Sequence, residues 1–147
     1  MSGRFKRLAR LNGSGDQYGA LAWRRHEGAL QILLITSRET RRWTIPKGWP
    51  EKRLTPAEAA AREAEEEAGV TGPTSEAIGA YRYDKRLRDG AGVRLTVTVF
   101  PLAVERIADR WREERERERL WIAPDRAAAL VDEPELKALM LEFNPPG

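Results

Sequence analysis

The sequence predicts an α+β fold in which helices pack on a mixed β-sheet within one domain. Segments rich in strand formers surround a helical pattern at 55–68, and a second helical pattern lies near the C-terminus. The 147 residues are enough for one core, and they contain no internal repeat. Apolar residues make up 41% of the chain and charged residues 33%, a balance typical of a soluble globular domain.

The N-terminal segment is basic and contains a Gly13-Ser14-Gly15 break. We expect a flexible tail over 1–15 and a single domain over 16–147. The tail lacks the apolar stretch of a secretion signal; an amphipathic targeting segment is the alternative. No apolar run approaches the ~20 residues of a membrane span, so no membrane partner is expected. The absence of cysteine excludes disulfides and thiolate metal sites and favours the cytoplasm.

Three strands are predicted before the first helix. Residues 18–25 and 29–37 are rich in strand formers and flank a turn-like His-Glu-Gly sequence, so they indicate a hairpin. We expect His26, the only histidine, to be exposed in that turn rather than to act as a ligand or base. A short strand over 42–46 ends at a proline, and a loop follows.

The first helix has marked ends. Thr55 suits the N-cap, Pro56 suits the first helical position, and Glu58 completes a capping box. Gly69 suits the position after the last helical residue. Small side chains allow the helix axis to lie close to a sheet. One face carries such residues at helical spacing: Ala57, Ala60, Ala61, Ala64 and Ala68.

The second half of the chain predicts three strands and a terminal helix. Residues 76–87 and 93–104 form strands joined by a turn, and the second alternates apolar with polar side chains. Residues 118–123 form a short strand, and 132–143 have helical spacing. The run 110–119 alternates in charge sign, which is typical of a solvated, salt-bridged segment.

Acidic side chains crowd the C-terminal end of the first helix. Glu63, Glu66 and Glu67 share an arc of about 100° on the helical wheel, whereas Glu65 points elsewhere. The helix dipole disfavours a carboxylate at this end by roughly 0.3–1 kcal/mol. One explanation is an ordinary Glu-rich solvent face. The other is a Mg²⁺ site, because Mg²⁺ binds carboxylates together with substrate phosphates.

The loop before the helix favours the metal site. Residues 38–53 contain six basic and two acidic side chains, although the whole chain carries a net charge of only +3. Gly48 permits close backbone approach, and Lys47, Lys52 and Arg53 suit phosphates. Metal-binding carboxylates beside basic groups are the components of pyrophosphate cleavage.

At this point the sequence resembles the Nudix box. That box reads Gly, five residues, Glu, seven residues, Arg-Glu, an apolar residue, any residue, Glu-Glu, any residue, Gly, apolar. The matching positions are Gly48, Arg62, Glu63, Ala64, Glu66, Glu67, Gly69 and Val70. The resemblance implies the Nudix fold, an α/β/α sandwich with a mixed sheet, from about residue 17 onward. It also implies a hydrolase of phosphoric anhydrides.

Site residues follow from the same resemblance. It implies that Glu63, Glu66 and Glu67 are catalytic ligands of Mg²⁺ or Mn²⁺, and that Arg62 orients carboxylates. The backbone near Gly48 adds a carbonyl ligand. One position departs, because Leu54 stands where the box has its first Glu. In the family that Glu supports the site, so we expect the departure to change the rate without removing the metal.

The substrate is a finer question. The stretch 37–53 resembles the diphosphoinositol polyphosphate phosphohydrolase branch, whose members also cleave diadenosine polyphosphates, and 108–131 is similar to a later segment of that branch. Trp49 stacks on a base or packs against its loop. A small-molecule polyphosphate is the expected partner. Arg38 matches a phosphate-binding arginine of that branch. The basic residues expected to bind the substrate are Arg38, Arg42, Lys47, Lys52 and Arg53.

The sequence leaves two main alternatives open. The first is a Nudix enzyme that acts on another nucleoside diphosphate derivative, such as ADP-ribose, a nucleoside triphosphate or an RNA 5′ end. A non-catalytic Nudix scaffold that binds a ligand is favoured only by Leu54. Nucleic-acid binding is not the expected function, because no recognisable RNA-binding motif accompanies the basic stretches. The oligomeric state is left open by the sequence.

Overall fold

The structure, a computed structural model, describes residues 14–86 and 90–146. Most of the predicted N-terminal tail and part of the predicted turn at 88–92 lie outside these residues. The strands are β1 Ser14–His26, β2 Ala29–Thr36, β3 Trp43–Thr44, β4 Lys47–Gly48, β5 Val70–Thr71, β6 Gly79–Arg86, β7 Gly92–Ala103, β8 Arg106–Ile107 and β9 Arg119–Ile122. The helices are α1 Pro56–Ala68, α2 Pro124–Leu130 and α3 Pro134–Glu142.

The main sheet is mixed, as the sequence predicts. Its order is β3-β2-β1-β7-β6, with β4 pairing to β1 and β9 pairing to β2. Strand β1 lies antiparallel to β2 and parallel to β7. Strands β5 and β8 form a separate two-stranded sheet next to the end of α1.

The first hairpin forms where the sequence predicts it. Glu27 and Gly28 have φ values of 52° and 81°, the positive values that a type I′ two-residue turn requires. His26 is exposed at the end of β1 and pairs with Ala29 in the ladder. Ser14 and Gly15, which the sequence analysis places in the tail, belong to β1 and pair with β7.

Strand β2 is buried on both faces, which explains its continuous apolar run. Leu33 and Ile35 contact the α1 side of the sheet, while Ile32 and Leu34 contact the opposite side. On the α1 side the helix contributes only small residues, so its axis lies close to the strands. These fully buried residues are Ala60, Ala64 and Ala68.

Helices α2 and α3 cover the other face and complete an α/β/α sandwich. The sequence did not predict α2, which is only seven residues long and has no side-chain cap at Ala123. Its buried Ala127 and Ala128 join the core beside Leu136 and Met140 of α3. Among the described residues, no helix is both long enough and apolar enough to span a membrane.

Candidate metal and substrate site

The N-terminal end of α1 is held by the local contacts that the sequence predicts. The Glu58 backbone N–H donates to Thr55 Oγ1 at 3.1 Å, and the Thr55 backbone N–H donates to Glu58 Oε1 at 2.8 Å. Pro56 occupies the first helical turn, where it has no backbone N–H to leave unpaired. The capping box is therefore confirmed, and it fixes the start of the helix that carries the acidic residues.

Glu63 lies against the glycine of the preceding loop. Its side chain is buried, with a relative exposure of 4%. A Cβ added to Gly48 would lie 2.2 Å from the Glu63 carboxyl carbon and 2.3 and 2.6 Å from its oxygens. Any side chain at position 48 would therefore displace this carboxylate. The contact gives a physical reason for glycine at the first position of the motif.

Glu67 is the second buried carboxylate, at 6% exposure. The Lys47 backbone N–H donates to Glu67 Oε1 at 3.3 Å, and Arg117 Nη2 lies 3.7 Å from Glu67 Oε2. Burial raises the pKa of Glu67, while the Arg117 charge and a hydrogen bond with Glu63 act in the opposite direction. Glu63 and Glu67 thus form one buried acidic pair beside strand β4.

Glu66 has a different environment. Its carboxylate lies 3.5 Å from Arg112 Nη1 and 3.9 Å from Arg62 Nε, and it keeps partial exposure. Within 14–86 and 90–146, no three acidic, histidine or cysteine side chains are gathered as a metal site. The structure therefore brings two of the three predicted ligands together and holds the third with arginines. Glu65 is exposed, as expected.

The donor set still fits a hard divalent cation. Glu63, Glu66 and Glu67 offer carboxylate oxygens on one side of α1, and Gly48 leaves the backbone of the loop open to close approach. A buried pair of carboxylates is costly unless a cation or hydrogen bonds compensate for it. Glu66 has to exchange an arginine for the cation, which exposed ion pairs of this kind permit at about 0–1 kcal/mol each.

Lys47 stands on the sheet side of this pair. Its ammonium donates to Thr44 Oγ1 at 3.3 Å and lies 5.0 Å from the centre of the Tyr83 ring. Burial lowers the pKa of Lys47 from 10.5 to about 8, while the Glu67 and Glu133 carboxylates oppose this shift. With a pKa of about 8 the amine is mostly charged at pH 7, in a buried position beside Thr44.

The remaining basic candidates lie on the surface. Arg38 is half exposed, with Nη1 3.7 Å from Glu116 Oε2, and Arg42 Nη1 donates to Asp132 at 3.0 Å. Both belong to the loop between β2 and β3. Two others, in the turn before α1, are exposed: Lys52 and Arg53.

The position of Trp49 favours one of its two predicted roles, stacking on a base or packing against its loop. The ring is buried at 4% exposure and packs with Val93, Leu95 and Tyr83. A side chain enclosed in this way has no free face for a base. Of the two interpretations, the structure favours packing against the loop, and Trp49 leaves the set of substrate contacts.

The charged run 110–119 departs in part from the predicted solvated, salt-bridged segment. It forms the predicted salt bridges, but several of its side chains pack onto the C-terminal end of α1. Trp111 Nε1 donates to the Glu67 carbonyl at 3.0 Å, and Arg119 Nη1 donates to the Ala68 carbonyl at 2.8 Å. The Glu113 backbone N–H donates to the Glu66 carbonyl at 3.1 Å. These groups bond helix carbonyls that have no partner within α1.

Arg117 connects this segment to the acidic pair. Its Nε donates to Glu113 Oε1 at 2.7 Å, and its Nη1 donates to the Thr36 carbonyl at 3.0 Å. The third nitrogen lies near Glu67, and only 10% of the Arg117 side chain is exposed. Sequence reasoning missed this buried cation, because neighbouring charges of both signs concealed it. The tryptophan within the run was the one available signal that the segment packs.

A family model described as the NUDIX domain matches residues 15–143. This chain belongs to the Nudix family. Nudix hydrolase 4 of Arabidopsis thaliana is 34% identical to it over 102 residues, which are 67% of this chain and 46% of that protein. The chain spans about half the length of the curated relatives it matches.

Two solved structures share the Nudix fold with this chain. A C. elegans Ap4A hydrolase binary complex has a TM-score of 0.64 and 22% identity, with 87% of this chain and 93% of that chain covered. The NUDIX domain of Shewanella oneidensis NrtR, complexed with ADP ribose, has a TM-score of 0.67 and 13% identity, with 96% of each chain covered. The predicted α/β/α Nudix sandwich is confirmed.

Proposed function

We propose that this chain is a metal-dependent Nudix pyrophosphohydrolase that cleaves a diphosphate linkage. The observation that supports the proposal best is the buried pair Glu63 and Glu67 packed against Gly48. Arg117 and the Lys47 backbone N–H compensate for part of the Glu67 charge, but the dipole and desolvation still disfavour two buried carboxylates at the negative end of a helix. A divalent cation compensates for both effects.

The roles of the residues follow from their positions. Glu63, Glu66 and Glu67 would hold Mg²⁺ or Mn²⁺, with a backbone carbonyl near Gly48 as a further oxygen ligand. When bound, the metal supplies Lewis-acid chemistry at a phosphoryl oxygen and at a water nucleophile. The Lys47 backbone N–H orients Glu67, and Arg62 and Arg112 hold Glu66 near the site.

The proposed substrate is a dinucleoside polyphosphate or a diphosphoinositol polyphosphate. Basic side chains in the loops before β3 and before α1 support a densely charged ligand rather than a neutral pocket. Arg38 and Arg42 are paired only by exposed acids, so a phosphate can replace Glu116 or Asp132 at low cost. One structural neighbour is named as an Ap4A hydrolase, which agrees with a polyphosphate substrate.

Steady-state kinetics test the substrate. Diadenosine polyphosphates of increasing length, a diphosphoinositol polyphosphate, ADP-ribose and a nucleoside triphosphate are compared with Mg²⁺. We expect kcat/KM to grow with phosphate number. Arg38→Ala should raise KM about tenfold to a hundredfold with little change in kcat, because a charge-assisted phosphate contact contributes about 1.5–3 kcal/mol. Arg126→Ala, an exposed arginine on α2, is the matched control.

Two results would count against parts of this proposal. A preference for ADP-ribose, the ligand named for the Shewanella neighbour, would contradict the polyphosphate proposal and leave the hydrolase standing. An unchanged KM in Arg38→Ala would remove that arginine from the binding site.

A non-catalytic ligand-binding scaffold is the second candidate. It is favoured by Leu54 and by the absence, within the described residues, of three gathered carboxylates. Binding of a polyphosphate without turnover in either Mg²⁺ or Mn²⁺ would support it. The cytoplasmic location and the absence of a nucleic-acid partner stay predictions from composition.

A further inference from the structure

The turn before α1 brings an unexpected acidic residue next to the departing position of the Nudix box. The Leu54 backbone N–H donates to the Glu51 carbonyl at 3.3 Å, which closes a four-residue turn. Arg53 adopts a φ of 72° within it. The two ends of such a turn lie close together in space. Glu51 therefore lies close to the position where the box carries its first Glu, although it comes three residues earlier.

Glu51 contacts Arg62, which lies on the acidic helix beside Glu66. Glu51 Oε1 lies 3.4 Å from Arg62 Nη1, and Arg62 Nε lies 3.9 Å from Glu66 Oε2. Arg62 thus connects the turn to Glu66. The second oxygen, Glu51 Oε2, is buried and has no hydrogen-bond partner among the described residues. This carboxylate is therefore not merely a solvated surface group.

We propose that Glu51 is a positioning residue that replaces the missing glutamate of position 54 and acts on Glu66 through Arg62. The inference rests on the proposed metal site. Glu51 draws the Arg62 guanidinium toward the turn and neutralises part of its charge, so that Arg62 holds Glu66 weakly and a divalent cation can replace it. Without Glu51, Arg62 pairs fully with Glu66 and competes with the cation for it.

Binding of Mn²⁺ in the absence of substrate, followed by electron paramagnetic resonance, tests this without relying on turnover. Glu51→Gln should weaken Mn²⁺ binding about tenfold, the lower end of the effect of losing a partner behind a metal ligand. Its Tm should stay close to that of the wild type, because the ion pair is partly exposed, 52% for the Arg62 side chain and 37% for that of Glu51, and contributes little to stability. Glu65→Gln, an exposed carboxylate on the same helix, is the control and should bind Mn²⁺ normally.

Two further variants separate positioning from other roles. The exchange Glu51→Leu with Leu54→Glu moves the carboxylate across the turn and should restore Mn²⁺ affinity. In an Arg62→Gln background, Glu51→Gln should have no further effect, because its influence passes through that arginine. A full additional loss there would show that Glu51 contacts the metal directly and would overturn the positioning role.

The other possible outcomes distinguish failure of this inference from failure of the proposed function. Affinity in Glu51→Gln equal to the Glu65→Gln control overturns the inference, and so does a fall in Tm without a change in Mn²⁺ affinity. Wild-type protein that does not bind Mn²⁺ overturns both this inference and the metal site. Wild-type protein that binds Mn²⁺ but hydrolyses no substrate contradicts only the proposed reaction, and the Glu51 comparison is then read from binding.

Discussion

The two ends of helix α1 are stabilised by different means. At the N-terminal end, the bonding groups of Thr55 and Glu58 are three residues apart in the chain. At the C-terminal end, the groups that bond the helix carbonyls come from Trp111, Glu113 and Arg119, more than forty residues further along. The first end is encoded locally, whereas the second adds tertiary contacts to the local cap at Gly69. The acidic residues lie at the end that depends on tertiary contact.

This difference changes the explanation for the glutamates at the C-terminal end of α1. The sequence leaves two explanations for carboxylates at the negative end of the dipole, a Glu-rich solvent face and compensation by a metal ion. The structure adds a second compensation, because three cations, Arg112, Arg117 and Arg119, lie near this end. The protein alone therefore stabilises part of the acidic cluster. The case for a metal therefore rests on the buried pair Glu63 and Glu67 rather than on the dipole alone.

Among changes at the two ends of α1, removal of Arg119 should cause the largest loss of stability. Its guanidinium donates to the Ala68 and Ala108 carbonyls and lies 3.8 Å above the Trp111 ring. Arg119→Met leaves both carbonyls without this donor, and we expect a loss of about 2–4 kcal/mol in the free energy of unfolding. Urea denaturation measures it. Arg126→Met should change stability by less than about 0.5 kcal/mol, and equal losses in the two variants would show that the distant cap is unimportant.

Gly69 is the local contribution to the C-terminal end, and its replacement should have the next largest effect. Gly69 has a φ of 69°, and an added Cβ would lie 2.9 Å from Trp111. Gly69→Ala should therefore destabilise the protein by about 2 kcal/mol, from the left-handed backbone and from displacement of the tryptophan. Thermal unfolding measures the loss. A neutral result would mean that Trp111 yields without cost and that the packing of the distant segment is loose.

The N-terminal end should give a smaller effect that its own residues explain. Thr55→Ala removes one half of the capping box and should destabilise the fold by about 1 kcal/mol. Thr55→Ser keeps the hydroxyl and should be close to neutral. Urea denaturation of both variants distinguishes the cap from a packing effect of the threonine methyl, since a packing effect would appear in both.

The same contrast explains which parts of the molecule the sequence could predict. Helix α1, the first hairpin and the alternating strand β7 carry their signals within a few residues. The burial of Arg117 and the capping by Trp111 depend on how segment 108–119 folds back, which no local pattern encodes. Helix α2 was missed because seven residues without a capping side chain carry too little periodicity.

The candidate site likewise has features that the sequence predicts and features that it does not. The residue types of the Nudix box were read directly from the chain, and the close contact of Gly48 with Glu63 agrees with them. The pairing of Glu66 with Arg112 and of Arg62 with Glu51 was not predictable, since each pair joins positions that no motif relates. The metal ligands themselves stay a prediction that experiment has to test.

Magnesium-dependent turnover of Glu66→Gln, measured beside Glu65→Gln, tests whether this helix holds the metal. Both changes remove one negative charge from adjacent positions of α1, and neither carboxylate is deeply buried. We expect Glu66→Gln to keep its Tm within a few degrees but to lose about a hundredfold or more in kcat/KM, as expected when a metal ligand is lost. Glu65→Gln should retain wild-type turnover. Undiminished magnesium-dependent hydrolysis by Glu66→Gln would contradict the assignment of this helix as the metal site.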